Sequence, residues 1–205
     1  MTYNPSQIVE KKLRTLHADA RFDSIRINPF KASSGDAVAF ERAYLPISKD
    51  QGHFIRNLII EKDCKEIVEF GTSFGISTIY LADAVRHTGG RVITTELLPS
   101  KAEKALQNLK DAGLNDYVEI RVGDAMQTLE DYTSQIDFLL LDGWKDLYLP
   151  LFQLLERQFH TSTLVYADNM DMASTQIYGQ FVQRERSHYP TQILHGGKAF
   201  LTHVS

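Results

Sequence analysis

Apolar residues along this chain recur with two different spacings, and the two alternate. Ile8, Val9, Leu13 and Leu16 are spaced to share one face of a helix, with Ser6 placed to cap it. Phe54, Ile55, Leu58 and Ile59 mark a second helix. From there, short apolar runs read as strands: KEIVEF (65–70), RVITTEL (91–97), YVEIRV (117–122), IDFLLL (136–141) and TLVYAD (163–168). IDFLLL has the look of a strand buried on both faces, as in a parallel sheet. Helical patterns separate the strands: ISTIYLADAV (76–85), SKAEKALQNLKDAG (100–113) with Gly113 as its stop, a short one over 125–132, LYLPLFQLLERQF (147–159) and STQIYGQFVQRER (174–186). TQIL (191–194) and AFLTHV (199–204), joined through His195, Gly196 and Gly197, read as a closing hairpin.

Such alternation predicts an open α/β sheet, mostly parallel, with helices on both faces. Residues 1–48 form a helical and irregular lead-in containing Pro5, Pro29, Gly35 and Pro46. No repeat, low-complexity tract or linker divides the sequence, so 1–205 reads as one domain, with the alternating core over 49–205. In these sheets ligands collect outside the carboxyl ends of the strands, near the topological switch point. Glu69, Glu96, Asp142, Asp168 and Asn169 are all expected at that edge.

Composition narrows the class. With 205 residues, 43% hydrophobic and 23% charged, the chain can bury a good core and is not of the disordered kind. A net charge of -4 gives no reason to expect a nucleic-acid partner, which favours basic surfaces. The single cysteine, Cys64, permits no internal disulfide and suits a reducing compartment; it reads as a small core residue. No apolar stretch is long enough to span a bilayer, and the first residues lack the apolar core of a signal peptide. A cytoplasmic protein with no membrane partner is therefore expected. The lead-in helix could pack on a second subunit, which would make a homodimer.

The first strand of the core runs into a glycine turn, IVEFGTSFGIST (67–78). A dinucleotide fold would show G-x-G-x-x-G there, with backbone amides facing a pyrophosphate. Instead the spacing is Gly71-x-x-x-Gly75, preceded by Glu69, and the phosphate-loop pattern ending in Lys-Ser/Thr is absent. A carboxylate would repel a pyrophosphate but favour a sulfonium or an amino group. Glu96 ends the second strand, where an acidic side chain can grip both hydroxyls of a ribose. VGDAM (122–126) follows the third strand and could border an adenine, although Asp124 is equally explained as a helix N-cap.

E-F-G-T-S-F-G-I-S-T together with Glu96 resembles the cofactor motif of class I S-adenosylmethionine-dependent methyltransferases. LDGWKDLYLP followed by LVYADN resembles the metal-dependent O-methyltransferases of the catechol O-methyltransferase type, from about Leu45 to the C-terminus. The resemblance implies a Rossmann-like, mostly parallel seven-stranded sheet with a C-terminal antiparallel hairpin, and S-adenosylmethionine and Mg²⁺ as cofactors. It places metal ligands on Asp142, Asp168 and Asn169 and the catalytic amine on Lys145. Cofactor contacts fall on Ile47 (through its backbone), Glu69, Gly71, Ser73, Ser77, Glu96, Ala125, Asp142 and Trp144. The chain departs from the catechol enzymes at the walls of the substrate slot. Ala43 and Ala173 stand where those have a tryptophan and a proline, and a C-terminal glutamate has no clear counterpart, with Tyr189 or His195 nearby.

The chemistry of these residue types agrees. Two carboxylates and an amide oxygen form a hard, all-oxygen donor set that suits Mg²⁺, and the seven histidines show no zinc spacing. A metal there can hold two adjacent hydroxyls of an aromatic diol and acidify one of them. Lys145 reaches the same place, and an amine whose protonated form is disfavoured by a neighbouring metal and sulfonium is suited to accept a proton. Trp144 would wall the cofactor. The expected function is thus Mg²⁺-dependent transfer of a methyl group from S-adenosylmethionine to a hydroxylated aromatic small molecule. The rivals are a metal-independent methyltransferase, a nicotinamide-dependent oxidoreductase disfavoured by Glu69 and the missing middle glycine, and a non-catalytic cofactor-binding subunit.

Overall fold

A computed structural model describes residues 6–33 and 36–205; Pro5 and Gly35 of the lead-in lie outside them. Helix α1 spans Gln7–Ala20 and opens as its sequence requires, with the Ser6 hydroxyl accepting from Val9 N at 3.4 Å. Val9, Leu13 and Leu16 are buried, whereas Ile8 faces solvent. A short helix α2 (Pro29–Ser33) and a 3₁₀ turn at Ala37–Phe40 complete the lead-in.

The core then alternates: α3 (Lys49–Glu61), β1 (Glu66–Phe70), α4 (Ile76–Thr88), β2 (Arg91–Glu96), α5 (Pro99–Ala112), β3 (Val118–Val122), α6 (Ala125–Thr128), β4 (Ile136–Leu141), α7 (Tyr148–Leu155), β5 (Phe159–Ala167), α8 (Gln176–Arg184), β6 (Thr191–Leu194) and β7 (Ala199–His203). The seven strands form one sheet in the order β3-β2-β1-β4-β5-β7-β6. β1 to β5 are parallel, and β7 pairs antiparallel with both β5 and β6. This is the expected fold, hairpin included. Apolar side chains fill both faces of the sheet: Ile67, Phe138, Leu140 and Tyr166 on one, Val68, Leu139, Leu141 and Val165 on the other. No helix among the described residues is long and apolar enough to cross a membrane.

Three boundaries differ by several residues from the sequence reading. The helical pattern over 147–159 was expected to run through Phe159, but helix α7 stops at Leu155 and a 3₁₀ turn leads straight into β5. β5 therefore starts at Phe159, four residues ahead of the apolar run. Its pairing with β4 shifts register between Ile136 and Phe138. Local hydrogen bonds hold this polar beginning: His160 N donates to Thr163 Oγ1 at 2.8 Å, and the His160 ring pairs with Asp137 Oδ1 at 2.9 Å. The short helix expected over 125–132 likewise ends at Thr128.

The lead-in is anchored to the core around Tyr80 of α4. His17 of α1 meets the Tyr80 hydroxyl at 3.3 Å, and the His53 ring of α3 stands edge-on to the Tyr80 ring. Gly52 of α3 lies flat against that ring, and a Cβ there would fall inside it. Because Tyr80 is fully buried among these partners, it has no free space to move into. Gly52→Ala should destabilise the protein by about 1–3 kcal/mol, the usual cost of overpacking, as read from the midpoint of urea unfolding. An unchanged midpoint would mean that α3 and α4 slide apart freely.

Candidate active site

The carboxyl ends of the strands are stitched in step. Asp142 N donates to Phe70 O at 3.0 Å, Asp168 N to Leu141 O at 3.0 Å, Thr72 N to Thr95 O at 3.0 Å and Gly123 N to Glu96 O at 2.9 Å. Parallel pairing puts Leu141 opposite Ala167, so the next residues, Asp142 and Asp168, emerge side by side. Asn169 follows in a left-handed conformation (φ 56°) that turns the chain out of the sheet, a conformation asparagine tolerates better than most residues. Its carbonyl accepts from the Thr175 hydroxyl at 2.9 Å, fixing the turn.

These ends floor a cleft of about 1160 Å³. Ile47, Gly71, Ser73, Ser77, Glu96, Ala125, Asp142, Trp144, Lys145, Asp168 and Asn169 all border it, so the structure brings together every site residue expected from the sequence except Glu69. The floor itself is bare backbone. Gly71 has φ 107°, and a Cβ there would lie 2.7 Å from Gly143 Cα; one on Gly143 would lie 2.6 Å from the Phe70 ring. Only glycine fits at either position.

At one end, Glu96 is held by backbone amides, accepting from Ser73 N at 2.8 Å and from Leu98 N at 3.0 Å. Asp124 caps α6, accepting from Met126 N at 2.9 Å, and also borders the cleft, so both roles open to it are compatible. Lys101, a residue with no sequence signal, points into the same end although only 4% exposed, and its ammonium lies over the Phe74 ring. Burial lowers its pKa, opposed by Glu96 and Asp23.

Glu69 departs from expectation. It sits one residue before the end of β1, fully buried, and does not border the cleft. The hydroxyls of Thr78 and Thr94 each donate to its Oε2 at 2.6 Å, and Thr94 is bonded in turn to Thr72, which does line the cleft. Oε1 is buried without a hydrogen-bond partner. Burial raises the pKa of this carboxyl, Glu96 adds to the effect, and the surrounding hydroxyls oppose it.

At the other end stand Asp142, Asp168 and Lys145. Lys145 Nζ lies 3.4 Å from Asp142 Oδ1 and donates to the Tyr148 hydroxyl at 2.9 Å. Asp168, 4% exposed, accepts at Oδ1 from Gln51 Nε2 at 2.6 Å. Neither Tyr148 nor Gln51 was foreseen as a site residue, although Ser48-x-x-Gln51 is a legible capping box. The Asp142 carboxyl is pushed up to about 7, by burial first, then by Asp168 and Glu69, against the opposing pull of Lys145. A pair of carboxylates beside an amide-bearing turn holds more negative charge than the single Lys145 ammonium offsets, and such a set fits a hard divalent cation.

Phe40, Val38, Met172 and Ser174 wall the cleft, with Phe40 edge-on to the 40%-exposed Trp144 at 6.0 Å. The expected slot walls are not there: Ala43 is fully buried in the core and Ala173 lies on the outer surface, and neither borders the cleft. Tyr189 and His195 also stand away from it; Tyr189 packs against one of the two apolar clusters of the core and His195 against Phe54 and Tyr166.

The architecture is that of the class I methyltransferases. An O-methyltransferase from Bacillus cereus, solved in complex with SAH, superposes with a TM-score of 0.70 over 100% of this chain and 94% of its own, at 23% identity. A family model described as O-methyltransferase matches residues 36–185. The catechol O-methyltransferase of Mycobacterium tuberculosis is 34% identical over 74% of this chain and 70% of its own length. That of Niastella koreensis is 36% identical over 62% of this chain. The chain belongs to the S-adenosylmethionine-dependent O-methyltransferases of the catechol O-methyltransferase family. It spans 58% of the length of the Niastella enzyme.

The Asp142 shift has a consequence for stability. The unfolded chain ionises this group near 3.8 and the folded protein near 7, so stability is lost as pH rises through that window and is not regained above it. Asp142→Asn removes the penalty. In excess EDTA the variant should match wild type near pH 4 and exceed it at pH 8 by about 2–4 kcal/mol in chemical unfolding. Parallel stability profiles for the two proteins would show that Asp142 is not under this strain.

Proposed function

We propose that the chain transfers a methyl group from S-adenosylmethionine to one hydroxyl of a vicinal aromatic diol, with Mg²⁺ held at Asp142, Asp168 and Asn169. The observation that carries this reading is the emergence of Asp142 and Asp168 on adjacent parallel strand ends, with the Lys145 ammonium 3.4 Å from Asp142 Oδ1. When bound, Mg²⁺ would supply a Lewis acid that gathers two neighbouring hydroxyls and acidifies one. S-adenosylmethionine would supply the electrophilic methyl.

The protein's own residues do the rest. Glu96, its carboxylate aimed by two backbone amides, accepts from the ribose hydroxyls through its remaining lone pairs. Ala125 and Asp124 border the adenine, and Ile47, Gly71, Ser73 and Ser77 line the path of the amino-acid tail. Glu69 acts from below, through the hydroxyls between it and the cleft, instead of by direct contact. Trp144 and Phe40 close an apolar wall over the reacting groups. Lys145, in its neutral amine form, takes the proton from the acceptor hydroxyl and becomes the ammonium, with Tyr148 and Asp142 keeping its Nζ at the reaction centre. Most of the acceleration comes from holding nucleophile and methyl in line within a water-poor cleft.

The acceptor is a small hydroxylated aromatic, in keeping with the apolar walls and the polar floor. The buried, unpaired Cys64 suits a reducing compartment, and we place the protein in the cytoplasm.

Purified protein supplied with S-adenosylmethionine, Mg²⁺ and a panel of catechols should release S-adenosylhomocysteine with at least one of them, and excess EDTA should abolish turnover. Undiminished turnover in EDTA would exclude the metal and favour a metal-independent methyltransferase. Lys145→Ala should lower kcat by about 10²–10⁴-fold, the usual worth of a general base, with little change in cofactor affinity. A loss under about tenfold at the optimal pH would remove Lys145 from that role.

A further inference from the structure

Gln51 belongs to no strand end and no sequence motif for methyl transfer, yet it is bonded directly to Asp168. It occupies the third position of α3, and its side chain is only 6% exposed. The two ends of its amide serve different partners. Oε1 accepts from Ser48 N at 3.0 Å, closing the capping box in which the Ser48 hydroxyl accepts from Gln51 N at 3.2 Å. Nε2 donates to Asp168 Oδ1 at 2.6 Å and to the Tyr166 hydroxyl at 3.3 Å.

This arrangement leaves the amide no freedom to flip. Ser48 N is a donor, so only the carbonyl oxygen can face it, and the N–H₂ end must point at Asp168. The helix cap thereby dictates which oxygen of Asp168 is occupied. A carboxylate with one oxygen committed to a protein donor presents the other to a ligand, as outer-shell partners of metal-binding carboxylates do.

We propose that Gln51 is a positioning residue of the metal site: its amide, oriented by the N-terminal cap of α3, fixes the Asp168 carboxylate so that its second oxygen faces the cation. This inference rests on the reading of Asp168 as a metal ligand. It also ties the site to the junction between lead-in and core, because Ile47 and Ser48 immediately precede α3 and Ile47 borders the cleft.

The test is binding of Mn²⁺, followed by electron paramagnetic resonance of the free ion, without cofactor or acceptor. Gln51→Met keeps the length of the side chain and removes the donor; its Mn²⁺ dissociation constant should rise by about tenfold or more, the usual effect of losing an outer-shell partner. Ser48→Ala weakens the same helix cap but leaves Asp168 its donor. It should lower the unfolding midpoint while keeping wild-type Mn²⁺ affinity. In ¹⁵N-labelled wild-type protein, the Gln51 side-chain amide resonances should shift on saturation with Mg²⁺, a readout that needs no variant to fold. Wild-type-like affinity in Gln51→Met, equal loss in Ser48→Ala, or an unmoved Gln51 amide signal would each reduce Gln51 to a helix cap and overturn the proposal. A wild-type protein that binds no Mn²⁺ would overturn the metal reading itself, and this inference with it.

Discussion

Everything at the site follows from the pairing of β4 with β5. Parallel strands in register deliver their next residues to the same height, and here both next residues are aspartates. Two carboxylates set side by side, one of them 4% exposed, repel each other, and Lys145 offsets only part of that cost. The sheet tolerates them because many apolar residues on both of its faces supply far more stabilisation than one repulsive pair removes. The fold is thus the source of the energy held at the strand ends, and the cation proposed there would release it.

Around that pair the structure spends ordinary stabilising devices on orientation. A helix cap at Ser48 and Gln51 aligns Asp168; a buried phenol at Tyr148 steadies Lys145; backbone amides of Ser73 and Leu98 aim Glu96. None of these contacts is exotic, and each does a structural task as well. The site's rigidity is therefore inseparable from the packing of the elements that bear it.

The alternation of periods was enough to read the sheet, its helices and its closing hairpin, because each strand is a local apolar run. The strand-end residues were legible for the same reason: an abrupt polar residue after such a run marks the edge. Glu69 shows the limit. Its position near a glycine turn suggested the rim, but it lies one residue short, fully buried in β1 and held by the hydroxyls of Thr78 and Thr94. Gln51 and Tyr148 were hidden because their partners are set by tertiary packing: Gln51 is 117 residues from Asp168 in sequence. The early start of β5 was masked by its polar residues His160, Thr161 and Ser162, of which His160 and Ser162 are held by local hydrogen bonds instead of burial.

The glycine pair beneath the cleft divides the labour of change. Gly71 abuts the Gly143 backbone and Gly143 abuts the Phe70 ring, so neither has room for a side chain, and the floor offers no handle by which a substitution could reshape the acceptor space. The side walls come from elsewhere, Val38 and Phe40 from the lead-in and Met172 and Ser174 from the turn before α8. Those segments lie outside the parallel sheet, where insertions and replacements are cheap. A lineage built on this scaffold can therefore explore new acceptors by redrafting two loops while the reacting edge stays untouched, and relatives with different preferences should diverge first at those walls.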